Sequence, residues 1–231
     1  MRSFGVVAGS VALAALVSGC GLAGALEKDT VSYDVTDKVS AIRIEADAGG
    51  IEVVESDRQG VHVTERLSWR RSKPEATHET QGDTLVLGFG CPGGGWLGGG
   101  SCDVGYEVEI PKGLRVTAVS DSGNVTLRDL SGDLDVTSDS GSIEGSGLAS
   151  RQVVMESDSG AITLAFAAQP DKVETSADSG STEVRVPGGP YNIVTTTDSG
   201  RKEIGTPHDA SAPRSLTLSS DSGAIKITGA S

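Results

Sequence analysis

Hydrophobic and polar positions alternate along this chain in short runs that return at a nearly fixed interval. The tetrapeptide SDSG, or its variants ADSG and TDSG, recurs with its aspartate at Asp121, Asp139, Asp158, Asp178, Asp198 and Asp221, at steps of 18, 19, 20, 20 and 23 residues. Five, three and one residues before each aspartate stand Val116, Ala118, Ser120; Leu134, Val136, Ser138; Val153, Met155, Ser157; Val173, Thr175, Ala177; Ile193, Thr195, Thr197; and Leu216, Leu218, Ser220. Four and six residues after it stand Val125, Leu127; Ile143, Gly145; Ile162, Leu164; Thr182, Val184; Lys202, Ile204; and Ile225, Ile227. A period of two is one face of a strand. Each copy therefore predicts a strand, a sharp corner and a second strand, with the apolar sides of both strands turned inward. A degenerate copy, IRIEADAGGIEVV at 42–54, gives Asp47 the same role, and between Asp47 and Asp121 the pattern blurs.

Repetition at this period is the mark of a stacked array in which no repeat can bury its own face. The fold class is all-β, and two architectures satisfy the pattern. One is a single β-solenoid of roughly 18–23-residue coils whose strands pair in parallel about 4.8 Å apart. The other is an antiparallel β-meander or sandwich of hairpin repeats, with Ser-Gly as a two-residue loop. The near-constant repeat length favours the solenoid, as do Thr182, Thr195 and Thr197, whose inward positions suit polar ladders in a coil interior. Stacked in sequence order, the coils place Gly223 near the end. The motif glycine is expected at positive φ, and Ser and Asp are expected to hydrogen-bond the corner backbone. By parity the aspartates face solvent. Copy 198–204, DSGRKEI, departs from the rest by placing Lys202 where an aliphatic belongs.

Composition agrees with such a stack: aromatic residues are 3% of the chain, so the core must be aliphatic. The formal net charge of −13 argues against an electrostatic grip on nucleic acid or on anionic lipid head groups.

At the N-terminus, Met1-Arg2 precedes an apolar run at 4–17, too short to span a bilayer, and then Val17-Ser18-Gly19-Cys20. This stretch resembles a bacterial lipoprotein signal with its lipobox. The resemblance implies that residues 1–19 are a signal peptide and that Cys20 is the first mature residue. It further implies that Cys20 carries lipid and anchors the exported protein to the outer face of the cell envelope. Residues 20–30 then form a flexible tether, and 31–231 the repeat domain. Cys91 and Cys102 bracket PGGGWLGGGS and read as a disulfide closing a glycine-rich loop at 91–102. A metal site is not expected, because no third cysteine is available and His62, His78 and His208 lack ligand spacing. No cofactor is expected either. Trp96 and Leu97, set between two glycine triplets, read either as an exposed contact finger or as a cover folded back over an open end.

The aspartates form a uniform file without a distinct acid/base partner, and no histidine recurs at a fixed offset from the motif serine, so no catalytic residue is assigned. In a stack, neighbouring carboxylates would lie near 5 Å apart and repel by about 1 kcal/mol in bulk water. Hydrogen bonds from corner N–H groups would offset this, as would weak, water-completed calcium contacts along the ladder.

The repeats DSGNVTL, DSGSIEG, DSGAITL, DSGSTEV and DSGAIKI resemble those of the bacterial putative-adhesin domains of unknown function, which are related to auto-transporter adhesin heads. The resemblance runs from about residue 40 to the end and implies a β-solenoid on the cell surface, with no ligand handed over. The leading expectation is a lipid-anchored, non-enzymatic adhesion or scaffold module that contacts a surface protein or glycan. An envelope-sensing or partner-binding accessory lipoprotein ranks second, and a polysaccharide-acting β-helix enzyme third.

Overall fold

Nineteen strands and no helix make up the described residues, 25–92 and 101–230, of the computed structural model. In chain order they are β1 Glu27–Val35, β2 Ala41–Ala46, β3 Ile51–Glu55, β4 Val61–Trp69, β5 Glu75–Gln81, β6 Thr84–Gly90 and β7 Cys102–Ile110. Then follow β8 Arg115–Ser120, β9 Val125–Arg128, β10 Leu134–Ser138, β11 Ile143–Leu148, β12 Gln152–Ser157, β13 Ile162–Phe166, β14 Lys172–Ala177 and β15 Thr182–Pro187. The last four are β16 Asn192–Thr197, β17 Lys202–Gly205, β18 Ser215–Ser220 and β19 Ile225–Ala230.

They form a ten-stranded sheet in the order β1-β4-β7-β3-β9-β11-β13-β15-β19-β17 and a nine-stranded sheet in the order β16-β18-β14-β12-β10-β8-β2-β6-β5. Each DSG copy gives its first strand to the nine-stranded sheet, turns the corner and gives its second strand to the ten-stranded one. Pairing within the repeats is parallel and in register, so that Ser120 lies beside Ser138, Ser138 beside Ser157, and Ser157 beside Ala177. The inward positions stack into one core containing Val116, Val136, Met155, Val173, Leu218, Val125, Ile143 and Ile162. Each fully buried aliphatic contributes about 1.5–3 kcal/mol, and because every coil seals its neighbours, the stack is cooperative. The protein is a two-sheet β-solenoid, the architecture the repeat period favours over an antiparallel meander.

The coils do not stack in sequence order. β18 pairs with both β14 and β16, and β19 with both β15 and β17, so the last copy is inserted beneath the one that precedes it. The spatial order of the corner aspartates is therefore 47, 121, 139, 158, 178, 221, 198, and the terminal coil is the one at 192–205. Its sequence explains why. A lysine at an inward position would be desolvated inside the stack, whereas at the end Lys202 Nζ reaches across the open face to donate to the Thr195 carbonyl at 2.8 Å. Ile204 remains 46% exposed and all of β17 faces solvent. Thr195 and Thr197 are half-buried at this open end rather than part of an interior ladder. Thr182 is fully buried, but its hydroxyl has no hydrogen-bond partner, so the expected polar ladder does not form. The 23-residue step before Asp221 is the length the chain uses to return from the terminal coil. It passes His208, which bridges to Tyr191 and accepts the Ile193 N–H on Nδ1 at 3.0 Å.

At the other end the pairing changes sign. β1 with β4, β4 with β7 and β5 with β6 are antiparallel, which is why the repeat blurs between Asp47 and Asp121. Among the described residues, antiparallel pairing is confined to this cap.

Candidate functional site

The DSG corners lie in one file along an edge of the solenoid. Each corner is tied to the one below by the backbone. Ser140 N donates to Asp121 O at 2.8 Å, Ser159 N to Asp139 O at 2.8 Å, Ser179 N to Asp158 O at 2.9 Å, Ser222 N to Asp178 O at 2.9 Å and Ser199 N to Asp221 O at 2.9 Å. None of the motif glycines adopts positive φ, contrary to the sequence expectation. Glycine is required by crowding instead. A Cβ on Gly160 would sit 1.9 Å from the Gly141 carbonyl oxygen, and the same contact recurs from Gly141 to Gly123, Gly180 to Gly160, Gly223 to Gly180 and Gly200 to Gly223. The corners thus form a glycine column in which each backbone seats directly on the carbonyl beneath it.

The residue before the aspartate clips the turn. Buried Ser120 Oγ donates to Gly123 O at 2.8 Å and Ser138 Oγ to Gly141 O at 2.9 Å, while Ser157 and Ser220 accept the N–H of Gly160 and Gly223 at 2.9 and 2.8 Å. At these four corners the inward serine, and not the aspartate, makes the side-chain hydrogen bond that closes the turn. Asp121, Asp139, Asp158, Asp178, Asp198 and Asp221 are all exposed, and among the described residues no hydrogen bond or ion pair ends on their carboxylates. Nor does any group of three His, Cys, Asp or Glu side chains there have the arrangement of a metal site.

The opposite corner is built differently. Along it Arg115 pairs with Asp133 at 3.8 Å, Arg151 with Asp171 at 2.5 Å, and Arg214 with the same Asp171 at 3.9 Å. Signs alternate from coil to coil. A shallow groove of about 490 Å³ runs there between Ser40, Asp83, Arg115, Ser131, Asp133 and Arg151. The Ser40 hydroxyl, hydrogen-bonded to Asp83, holds that carboxyl below the usual range.

Cys91 and Cys102 are joined, with Cα atoms 6.0 Å apart, so the staple links the end of β6 in one sheet to the start of β7 in the other. Cys20, Trp96 and Leu97 lie outside the described residues.

Sequence reading passed over Glu65, a carboxyl 4% exposed that accepts the Tyr33 hydroxyl at 2.6 Å. It lies beside Tyr106, whose buried hydroxyl has no partner. Burial, reinforced by Glu65, pushes both phenols above the usual tyrosine range. The signal was present: in VHVTERL, Glu65 stands on the inward parity between Val63 and Leu67.

Among solved structures the chain is similar to a putative cell adhesion protein of Clostridium sporogenes, at 12% identity and a TM-score of 0.48 over 88% of this chain and 100% of that one. It is also similar to a putative adhesin of Bacteroides fragilis, at 13% identity and a TM-score of 0.44 over 86% of this chain and 97% of that one. A third similar structure, from Parabacteroides distasonis, is named a putative lipid binding protein, at 12% identity and a TM-score of 0.32 over 88% and 97%. No curated protein matches the chain. The family description that matches covers residues 106–228, just over half of the chain and all of the DSG coils, and the chain belongs to the family it describes, Toastrack DUF4097.

Proposed function

We propose that the protein is an exported, lipid-anchored, non-enzymatic adhesion or scaffold module, held through Cys20 and binding a surface protein or glycan. One observation carries this reading. The aspartate recurs at every corner, yet the fold uses its neighbours rather than its carboxylate. A side chain that costs like-charge repulsion and holds nothing together is explained by what it presents outward: a straight row of carboxylates at coil spacing. A partner with donors or cations at a matching repeat would engage several coils at once, and multivalency of that kind gains affinity without any single strong contact. A uniform row provides no distinct acid and base, which supports binding rather than turnover.

The test compares cells lacking the gene, cells carrying it and cells carrying Asp139→Asn, Asp158→Asn and Asp178→Asn together. Attachment to surfaces should fall in the deletion strain and in the triple variant, with the purified variant melting as the wild type does. Unchanged attachment in both strains, with an altered envelope-stress response in the deletion strain, would favour the sensing role instead.

A further inference from the structure

Both sheets stop at the coil 192–205, and the two strand edges there are finished differently. Asn192 N donates to Arg214 O at 2.8 Å and β16 runs parallel to β18, so the even-numbered backbone groups of β16 face β18. Those of Ile193, Thr195 and Thr197 face the open end. Two of these outward groups are already taken by side chains from two other segments. The Ile193 N–H donates to His208 Nδ1 at 3.0 Å, and the Thr195 carbonyl accepts Lys202 Nζ at 2.8 Å. Backbone bonds hold His208 in place, Tyr191 N donating to Pro207 O at 3.2 Å and Asp209 N to Tyr191 O at 2.9 Å. In the other sheet Ile225 N donates to Arg201 O at 2.8 Å, so Lys202 and Ile204 of β17 turn their backbone groups outward. That edge is only four residues long.

An uncovered edge is a template for a further strand, and proteins blunt such edges with short strands and with lysine. The partner that fits this end by symmetry is a second copy of the chain. Turned about a two-fold axis, it would lay β16 antiparallel on its own counterpart and β17 on its own, with Ile193, Thr195 and Ile204 extending the inward rows of the core. Lys202 stands in the way. Its side chain has the inward parity, and no acid stands at an inward position of β16 or β17, so two ends meeting face to face would enclose two unpaired ammonium groups. We propose that Lys202 and His208 are end caps, which occupy the outward backbone of β16 and keep the last coil closed to a second copy of this chain. At the position of Lys202 the other DSG copies carry Val125, Ile143, Ile162, Thr182 and Ile225, all buried. The departure from the motif falls on the coil that has no neighbour on its outer side.

The test is sedimentation equilibrium of the chain from residue 20 onward with Cys20→Ser, so that no acyl chain contributes to association. With both caps present the chain should be a monomer throughout the range in which the variants associate. Lys202→Val restores the aliphatic of the motif, removes the ammonium and its hydrogen bond at once, and should tighten self-association by the order of a hundredfold or more. Lys202→Met, which keeps the length of the side chain without charge or donor, should do the same. Adding His208→Ala frees the Ile193 N–H and should tighten association by up to about tenfold again. Lys202→Arg keeps the charge and the donors and should stay monomeric. Ile204→Glu, placed in the Lys202→Val chain, should return it to a monomer. A wild-type dimer would overturn the proposal, as would Lys202→Val and Lys202→Met chains that melt as folded proteins and remain monomers. Association that Ile204→Glu leaves intact lies elsewhere on the molecule and would overturn it as well.

Discussion

The two long corners of the solenoid face the same geometric task and meet it in opposite ways. On the return corner, arginine and aspartate alternate: Arg115 pairs with Asp133, and Arg151 and Arg214 both pair with Asp171. On the DSG corner every coil repeats the same charge, without a counterion among the described residues. Exposed pairs contribute little to stability, typically 0–1 kcal/mol each, so neither arrangement makes the fold. What differs is the backbone beneath. The DSG corner is a glycine column closed by buried serines and needs no charged partner to hold its shape. The return corner lacks such a column; backbone hydrogen bonds such as Ala149 N to Leu130 O at 2.8 Å and Asp171 N to Arg151 O at 2.9 Å tie its coils, and side-chain ion pairs are added to them. A charge pattern on a repeat is therefore informative about function where the backbone already accounts for the structure.

Glycine substitutions should separate the corners most widely. Gly160→Ala places a Cβ 1.9 Å from a backbone oxygen that cannot swing away and should cost about 3 kcal/mol or more in denaturant titrations. Gly113→Ala, where φ is +76° and nothing lies within 4 Å, should cost only about 1 kcal/mol of left-handed strain. Gly223→Ala should be as damaging as Gly160→Ala, and Gly200→Ala milder, because the terminal coil can lift away from its single neighbour. A mild Gly223→Ala would contradict the inserted position of the last coil.

Next in size is the serine clip. Ser157→Ala removes the acceptor of the Gly160 N–H in a buried corner and should lose about 1–2 kcal/mol, whereas the exposed Ser159→Ala should be nearly neutral. Similar losses at both serines would show that the corner does not depend on the inward hydroxyl.

Charge reversals of role should be smallest. Arg151→Ala should lower stability by about 0.5 kcal/mol. Asp158→Asn with Asp178→Asn should leave stability unchanged or raise it by up to about 1 kcal/mol, a gain that shrinks with added salt. A loss on the Asn substitutions would mean that the carboxylates hold the corner after all.

Much of this was legible in the chain. Period-two alternation on both sides of each DSG fixes two strands per copy, since a single parity must face the core, and the near-constant step favours parallel stacking in register over an antiparallel meander. Solvent-facing aspartates follow from the same parity. The motif glycine was recognised as necessary for the wrong reason: from one repeat, a tight turn and a close approach by the next coil look alike, and only the stacked neighbour reveals that the missing atom is a Cβ above a carbonyl.

Sequence by itself determined the all-β class, the coil length, the inward faces and the place of the corners, because these depend on spacing along one strand or across one turn. The tertiary structure decided which coil touches which. It seated the last copy beneath the preceding one, because a coil carrying Lys202 can keep its ammonium solvated only at an open end. It also gathered Trp69, the start of β1 and the start of β7 at the opposite end, because antiparallel pairing there brings together residues far apart in the chain. Contacts between coils are set by the free energy of burying whole faces, and no local pattern contains that comparison.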